Sequence, residues 1–152
     1  MGRTTLLAAA AALWLCAPAA AHTDGEVQLV FAWPARGLVT SPFGDDNGRW
    51  HPGLDIGVLR SLDVAAAAPG VVEAVGEPAG FEGYGNVVLV RVSPTLETLY
   101  AHLASGAVQP GDFVTAGRRL GVAGCTGWCT GTHLHFEVRV DGVAVNPLRF
   151  LG

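Results

Sequence analysis

The sequence predicts a mostly β protein with one compact domain, and three observations support this prediction. The chain has 152 residues, which is enough for one domain of ordinary size and little more. It contains 21 glycines and 9 prolines, which favour many tight turns. No long stretch shows the 3.6-residue apolar periodicity of an amphipathic helix, so short strands are the expected elements.

Four segments rich in Val, Leu and aromatic residues predict strands, because turn-forming Gly and Pro separate them. These segments are Gly70 to Val75, Asn86 to Val92, Glu97 to Leu103 and His133 to Val140. Residues 68–76 and 109–121 are distantly alike, and each predicts a turn followed by a β ribbon, as in duplicated, barrel-sandwich-like folds. Shared turn chemistry explains that likeness equally well.

The first 21 residues are predicted to be a secretory signal peptide. Arg3 precedes an apolar run from Leu6 to Ala21 that ends in small residues, which predicts cleavage after Ala21. A transmembrane anchor is the weaker alternative, because a spanning helix needs about 20 apolar residues. A lipoprotein signal is also weaker, since Leu15 stands before Cys16 where a small residue is expected.

Export divides the chain into three predicted parts: the signal peptide 1–21, a short mobile lead-in 22–31, and a domain 32–150. We expect the mature protein in the periplasm or outside the cell, with no stable membrane span. The mature part has eight arginines, no lysine and 13 acidic residues, a net charge of −5 with neutral histidines. This charge does not favour nucleic acid, and carrier domains that modify a lysine are excluded.

Two cysteines remain after the signal peptide, Cys125 and Cys129. An even pair in an exported protein is compatible with a small local disulfide. A metal-binding pair is the alternative, but it would need cysteine partners that the mature chain lacks. We therefore expect a disulfide, with Trp128 near its tip as a candidate substrate contact or a solvent-facing turn residue.

Candidate metal ligands occur first at His51 and Asp55, four residues apart. Pro52 and Gly53 between them are incompatible with a helix. We therefore expect a turn entering a strand, which would bring the imidazole back over the carboxylate. Taken alone, a surface histidine and a capping aspartate would produce the same pattern.

The segment from Thr132 to Val138 alternates polar and apolar residues. Alternation predicts His133, His135 and Glu137 on one strand face, where neighbouring imidazoles need hydrogen bonds or a metal if buried. An exposed polar face is the alternative. A third histidine, His102, is expected on one face with Tyr100, and alone it would more often be a satisfied core group.

Together these residues offer a nitrogen and oxygen donor set suited to zinc, with a position left open for water. Five motifs, in this order, resemble the LytM/lysostaphin family of zinc metallopeptidases, which are peptidoglycan endopeptidases, and the resemblance extends from about Trp33 to Phe150. The motifs are Ser41-Pro-Phe-Gly44, His51-Pro-Gly-Leu-Asp55, Gly83-Tyr-Gly-Asn86, Leu99-Tyr-Ala-His102-Leu103 and Gly131-Thr-His133-Leu-His135-Phe-Glu137.

The resemblance implies one Zn²⁺ held by His51, Asp55 and His135, at the floor of a loop-walled groove on a twisted antiparallel sheet. It implies that His102 and His133 stand unligated beside the metal, one as general base and one stabilising the oxyanion. Tyr100 and Glu137 are candidates for orienting these rings.

The implied function is hydrolysis of peptide bonds in peptidoglycan stems or cross-links by a metal-activated water. The main alternative is a catalytically silent LytM-like module that binds the wall or activates an amidase. Loss of a ligand or of a free histidine would favour that alternative, and all five positions are present. Localisation would depend on the groove or on a protein partner.

Overall fold

The structure is a computed structural model, and it describes residues 29–46 and 48–152. The predicted signal peptide and most of the predicted lead-in therefore lie outside the described residues. Within the described part, the chain forms twelve strands and one 3₁₀ helix, Pro147–Arg149. The strands are β1 Leu38–Ser41, β2 Gly44–Asp46, β3 Arg49–His51, β4 Leu54–Gly57, β5 Asp63–Ala65, β6 Gly70–Gly76, β7 Asn86–Ser93, β8 Leu96–Gly106, β9 Phe113–Val114, β10 Arg119–Ala123, β11 Leu134–Val140 and β12 Val143–Val145.

Ten of these strands form one antiparallel sheet. Seven of them follow the order β1-β4-β11-β8-β7-β6-β9, which is an open path among the described residues. Strand β10 joins β8 and β5 beside this path, and β12 pairs with β11. Strands β2 and β3 form a separate hairpin. The mostly β prediction is confirmed, and the four predicted strands correspond to β6, β7, β8 and β11.

The main core lies on one face of the sheet, and its largest fully buried side chains include Tyr100, Phe136 and Leu54. Phe31 belongs to the lead-in predicted from the sequence, but in the structure it is buried against Phe150 and pairs with Leu151. The domain therefore begins at Phe31 or earlier. No helix in the described part of the chain is long and apolar enough to cross a membrane.

The opposite face of the sheet carries a smaller apolar cluster on β7 and β8, formed by Val87, Leu89, Leu99 and Ala101. Ala101 pairs with His135, and Leu99 pairs with Glu137. Cross-strand partners point to the same side of a sheet. The polar residues of β11 therefore stand on this second face, where the candidate site lies.

Candidate functional site: a histidine and aspartate cluster

His51 and Asp55 stand on either side of a tight turn. His51 ends β3, Asp55 lies in β4, and His51 Nε2 is 3.2 Å from Asp55 Oδ1. This confirms the prediction that a turn brings the imidazole back over the carboxylate. Gly53 is required in the turn, because a Cβ there would lie 2.6 Å from the His135 ring.

Strand β11 brings His135 to the same place. His135 pairs directly with Asp55 of β4, and the Nδ1 atom of His135 lies 2.8 Å from Asp55 Oδ1. The same Nδ1 is 3.1 Å from His51 Nε2. Three potential metal-ligand atoms, one from each of His51, Asp55 and His135, thus face one another. We call these three residues the donor triangle.

The dimensions of the donor triangle fit zinc. Tetrahedral zinc with bonds of about 2.0–2.1 Å holds its ligand atoms about 3.3 Å apart, and the three separations here are 2.8, 3.1 and 3.2 Å. Two imidazoles and one carboxylate are also a donor set that zinc prefers in catalytic sites. Small outward movements of the side chains would admit the ion.

His133 and His102 lie beside the donor triangle rather than in it. His133 Nε2 is 3.7 Å from Asp55 Oδ1, and the His133 and His102 ring centres are 4.8 Å apart. The prediction that His133, His135 and Glu137 share one face agrees with these positions. Spacing alone could not choose between His133 and His135 as the inner residue.

The prediction that Tyr100 and His102 share a face is wrong. The backbone of His102 has φ 59°, and the pairing of β7 with β8 shifts register in this region, so strict alternation is broken. His102 therefore faces the site. Tyr100 points into the core instead, where its hydroxyl accepts from Ala67 N–H and donates to Thr98, so it does not orient the histidines.

Each of the four histidines has one ring nitrogen held by an acceptor outside the donor triangle. Because a carbonyl or carboxylate oxygen accepts only, that nitrogen carries the hydrogen, and the other nitrogen of a neutral ring faces the site with a lone pair. The pairs are His51 Nδ1 with Pro42 O at 2.8 Å, His102 Nδ1 with Thr126 O at 2.8 Å, His133 Nδ1 with Gly131 O at 2.7 Å and His135 Nε2 with Glu137 Oε1 at 3.1 Å.

Glu137 is fully buried behind His135, as expected for a residue that orients the ring. It also accepts a 2.6 Å hydrogen bond from the Tyr84 hydroxyl, and it forms an ion pair with Arg139 at 2.6 Å. The Tyr84 ring lies parallel to His102 and edge-on to His135. Tyr84 was missed as a site residue, although it stands in the Gly83-Tyr-Gly-Asn86 motif, because its partner is 53 residues away in sequence.

The electrostatics of the cluster favour a charged Asp55. Burial raises the pKa of Asp55, but hydrogen bonds from His135 and His51 outweigh burial and hold the pKa well below its usual range. Burial lowers the pKa of His135, but hydrogen bonds to Asp55 and Glu137 raise it to about 9 in the metal-free protein. Burial lowers the pKa of His102, which favours its neutral form near pH 7.

The cluster lies in an open groove of about 810 Å³. Trp50 and Trp128 are both largely exposed and line this groove. The predicted disulfide between Cys125 and Cys129 is present, and it closes the loop that carries Trp128. The part of the groove lining that carries Trp128 is therefore covalently constrained, and the two tryptophans offer aromatic surface to an extended ligand.

Comparison with known proteins agrees with this geometry. Residues 49–147 match the model of Peptidase family M23. The chain is 39% identical over 116 residues to the DD-carboxypeptidase/endopeptidase Mpg of Neisseria meningitidis, covering 72% of this chain and 26% of Mpg. It is 35% identical over 119 residues to the murein hydrolase activator NlpD of Escherichia coli, covering 78% of this chain and 30% of NlpD.

The catalytic domain of lysostaphin, an antimicrobial peptidase from Staphylococcus simulans, has the same fold. It superposes with a TM-score of 0.63 at 30% identity, covering 75% of this chain and 89% of that domain. The resemblance to the LytM/lysostaphin family is confirmed, although the chain spans less than a third of the length of Mpg or NlpD. From the matched residues and the shared fold, the chain belongs to peptidase family M23.

Proposed function

We propose that this protein is a zinc-dependent endopeptidase that hydrolyses a peptide bond in the stems or cross-links of peptidoglycan. The observation that carries the proposal is the donor triangle of His51, Asp55 and His135 on the floor of an open groove, with two further histidines beside it. When bound there, zinc supplies Lewis acidity that polarises a carbonyl and promotes the ionisation of water.

The two histidines outside the donor triangle supply proton transfer. His102 and His133 line the groove, and backbone carbonyls hold their Nδ1 hydrogens, so Nε2 is the nitrogen that each ring can use for proton transfer. One accepts a proton from the attacking water, and the other, when protonated, donates to the oxyanion that develops on the scissile carbonyl. The proton finally passes to the leaving amine.

The groove binds the peptide in this proposal. Trp50 and Trp128 offer apolar surface, and Arg49 at the rim offers a cation for a carboxylate of the stem peptide. Mpg and lysostaphin are both named as peptidases, which supports this function for the present chain. The protein would act outside the cytoplasm after removal of residues 1–21, which N-terminal sequencing of the exported protein would test.

Metal analysis and release of soluble muropeptides from purified sacculi test the proposal. We expect about one zinc per chain and cleavage by the wild type. His135→Ala should lose the metal, whereas His102→Ala should keep it and lose activity by about 10²- to 10⁴-fold. Asp63→Asn alters an exposed ion pair with Arg119 and a hydrogen bond from the Ser61 hydroxyl, and none of these residues lines the groove. It is the control that should keep both the metal and the activity.

The similarity to NlpD favours a second candidate, activation of a murein hydrolase without chemistry by this chain. Zinc binding without cleavage of sacculi from several wall types, together with stimulation of an added murein hydrolase, would support the activator. A wild-type protein that binds no zinc would refute the endopeptidase.

A further inference from the structure

The loop from Cys125 to Cys129 lies beside the two histidines that stand outside the donor triangle. The Thr126 carbonyl of this loop accepts the His102 Nδ1 hydrogen at 2.8 Å. Just beyond the disulfide, the Gly131 carbonyl accepts the His133 Nδ1 hydrogen at 2.7 Å, and Cys129 Sγ is 3.7 Å from the same nitrogen. Both free histidines are thus held by one short segment.

Thr126 connects this loop to the sheet. Its hydroxyl donates to the Leu103 carbonyl at 2.9 Å and accepts from the Asn86 N–H at 2.9 Å. Trp128 N–H donates to the Gly83 carbonyl at 2.7 Å. These bonds attach the loop to β7, to β8 and to the segment before β7, on the side of the sheet that carries the site.

Apolar packing contributes little to the order of this loop. Cys125, Gly127 and Trp128 are exposed, and Trp128 keeps 86% of its surface accessible. A loop without a buried apolar side chain has many open conformations of low energy. The disulfide removes most of them by closing a five-residue ring, and the Thr126 hydrogen bonds select one.

We infer that the Cys125–Cys129 disulfide and Thr126 are positioning groups for proton transfer, which set the tautomer and direction of His102 and His133. The inference rests on the proposed function, since it gives these histidines their task. The donor triangle does not depend on this loop, because its residues lie on β3, β4 and β11. Loss of the disulfide should therefore impair catalysis and leave the metal in place.

The test compares Cys125→Ala/Cys129→Ala with the wild type by ¹⁵N NMR of the histidine rings and by sacculus hydrolysis. In the wild type, neutral His102 should be the Nδ1–H tautomer. In the double variant, we expect a mixture of both tautomers, unchanged zinc content, and a kcat lower by about 10- to 100-fold with little change in KM.

A second pair of variants keeps the disulfide and separates positioning from folding. Thr126→Val removes the hydroxyl that ties the loop to Leu103 and Asn86, so His102 should again show mixed tautomers. Thr126→Ser retains the hydroxyl and should restore the wild-type tautomer. If the double variant does not fold, the His102 tautomers of Thr126→Val and Thr126→Ser test whether the loop positions this ring.

An unchanged His102 tautomer in the double variant, or in Thr126→Val should the double variant not fold, would overturn the inference. A shifted tautomer in a protein whose wild type cuts no sacculi would support the positioning role and count against the proposed function. Loss of zinc from the folded double variant would also overturn the inference, because the loop would then be needed for the metal.

Discussion

Gly53 lies so close to His135 that a Cβ on residue 53 would stand 2.6 Å from the imidazole Cε1 and Nε2 atoms and 2.7 Å from the Phe136 carbonyl oxygen. Real Cβ atoms essentially never approach other atoms so closely. The turn between His51 and Asp55 can therefore pass over His135 only if residue 53 has no side chain. Gly53 thus allows His51 and Asp55 to lie within about 3 Å of the His135 ring.

Gly53→Ala should therefore disrupt the metal site. Relief of the clash must move His135 or the β11 backbone, which we expect to cost about 1–3 kcal/mol of stability and to abolish or strongly weaken zinc binding. Zinc content and thermal unfolding measure the two effects. Gly106→Ala, whose Cβ would lie 2.8 Å from the Val75 side chain and touch no groove residue, should lose some stability but keep its zinc. Equal zinc binding by both variants would contradict the argument.

Glu137→Gln should weaken both the fold and the metal site. Glu137 is fully buried and carries the negative charge that compensates Arg139, so removal of the charge should cost about 3 kcal/mol. The amide also holds the His135 Nε2 hydrogen less well, and zinc affinity should fall about 10- to 100-fold. Urea unfolding and competition with a zinc chelator measure these effects.

Tyr84→Phe is the matched control for Glu137, because it removes one neutral hydrogen-bond donor from the same carboxylate and leaves its charge. We expect a smaller loss of about 1.5 kcal/mol, because the hydrogen bond that it removes goes to a charged carboxylate. If Tyr84→Phe destabilises the protein as much as Glu137→Gln, the charge of Glu137 is not the main contribution.

Zinc binding should release protons, and affinity should rise with pH up to about 9. The pKa of His135 in the metal-free protein is raised from 6.5 to about 9, so its Nδ1 is protonated at pH 7 and must lose that proton to bind a metal. Calorimetry at pH 7 in buffers of different ionisation enthalpy should detect at least one released proton. His102→Ala should release as many protons, and a wild type that releases none would refute this protonation state.

The raised pKa of His135 also predicts how the stability of the chelator-treated protein changes with pH. Because the folded pKa of His135 lies above the unfolded value, its contribution is fully present below pH 6.5. The contribution is lost as pH rises from 6.5 through about 9. Urea unfolding at pH 6, 7.5 and 9 should show this decrease, which bound zinc should reverse.

Tyr100→Phe should reduce stability without affecting the site. The Tyr100 hydroxyl accepts from the buried Ala67 N–H, which would be left without a partner, at a cost of about 1–3 kcal/mol. Zinc content and the rate of sacculus hydrolysis should stay at wild-type values. A selective loss of kcat would instead restore Tyr100 as a residue that orients the histidines.

The sequence by itself determined the features that depend on local backbone geometry. The two-residue period of a strand placed His135 and Glu137 on one face, and Pro52 with Gly53 excluded a helix between His51 and Asp55. The distribution of glycine and proline predicted a mostly β fold, and the parity of the cysteines predicted their disulfide.

Only the tertiary structure decided the features that depend on distant partners or on a broken pattern. The positive φ at His102 turns that residue away from the face of Tyr100, and strand alternation contains no signal for such a break. The pairing of Tyr84 with Glu137 and of His102 with Thr126 joins residues 53 and 24 positions apart. Such contacts exist only when the sheet brings β7, β8 and β11 together, because hydrogen bonds act over about 3 Å whatever the distance along the chain.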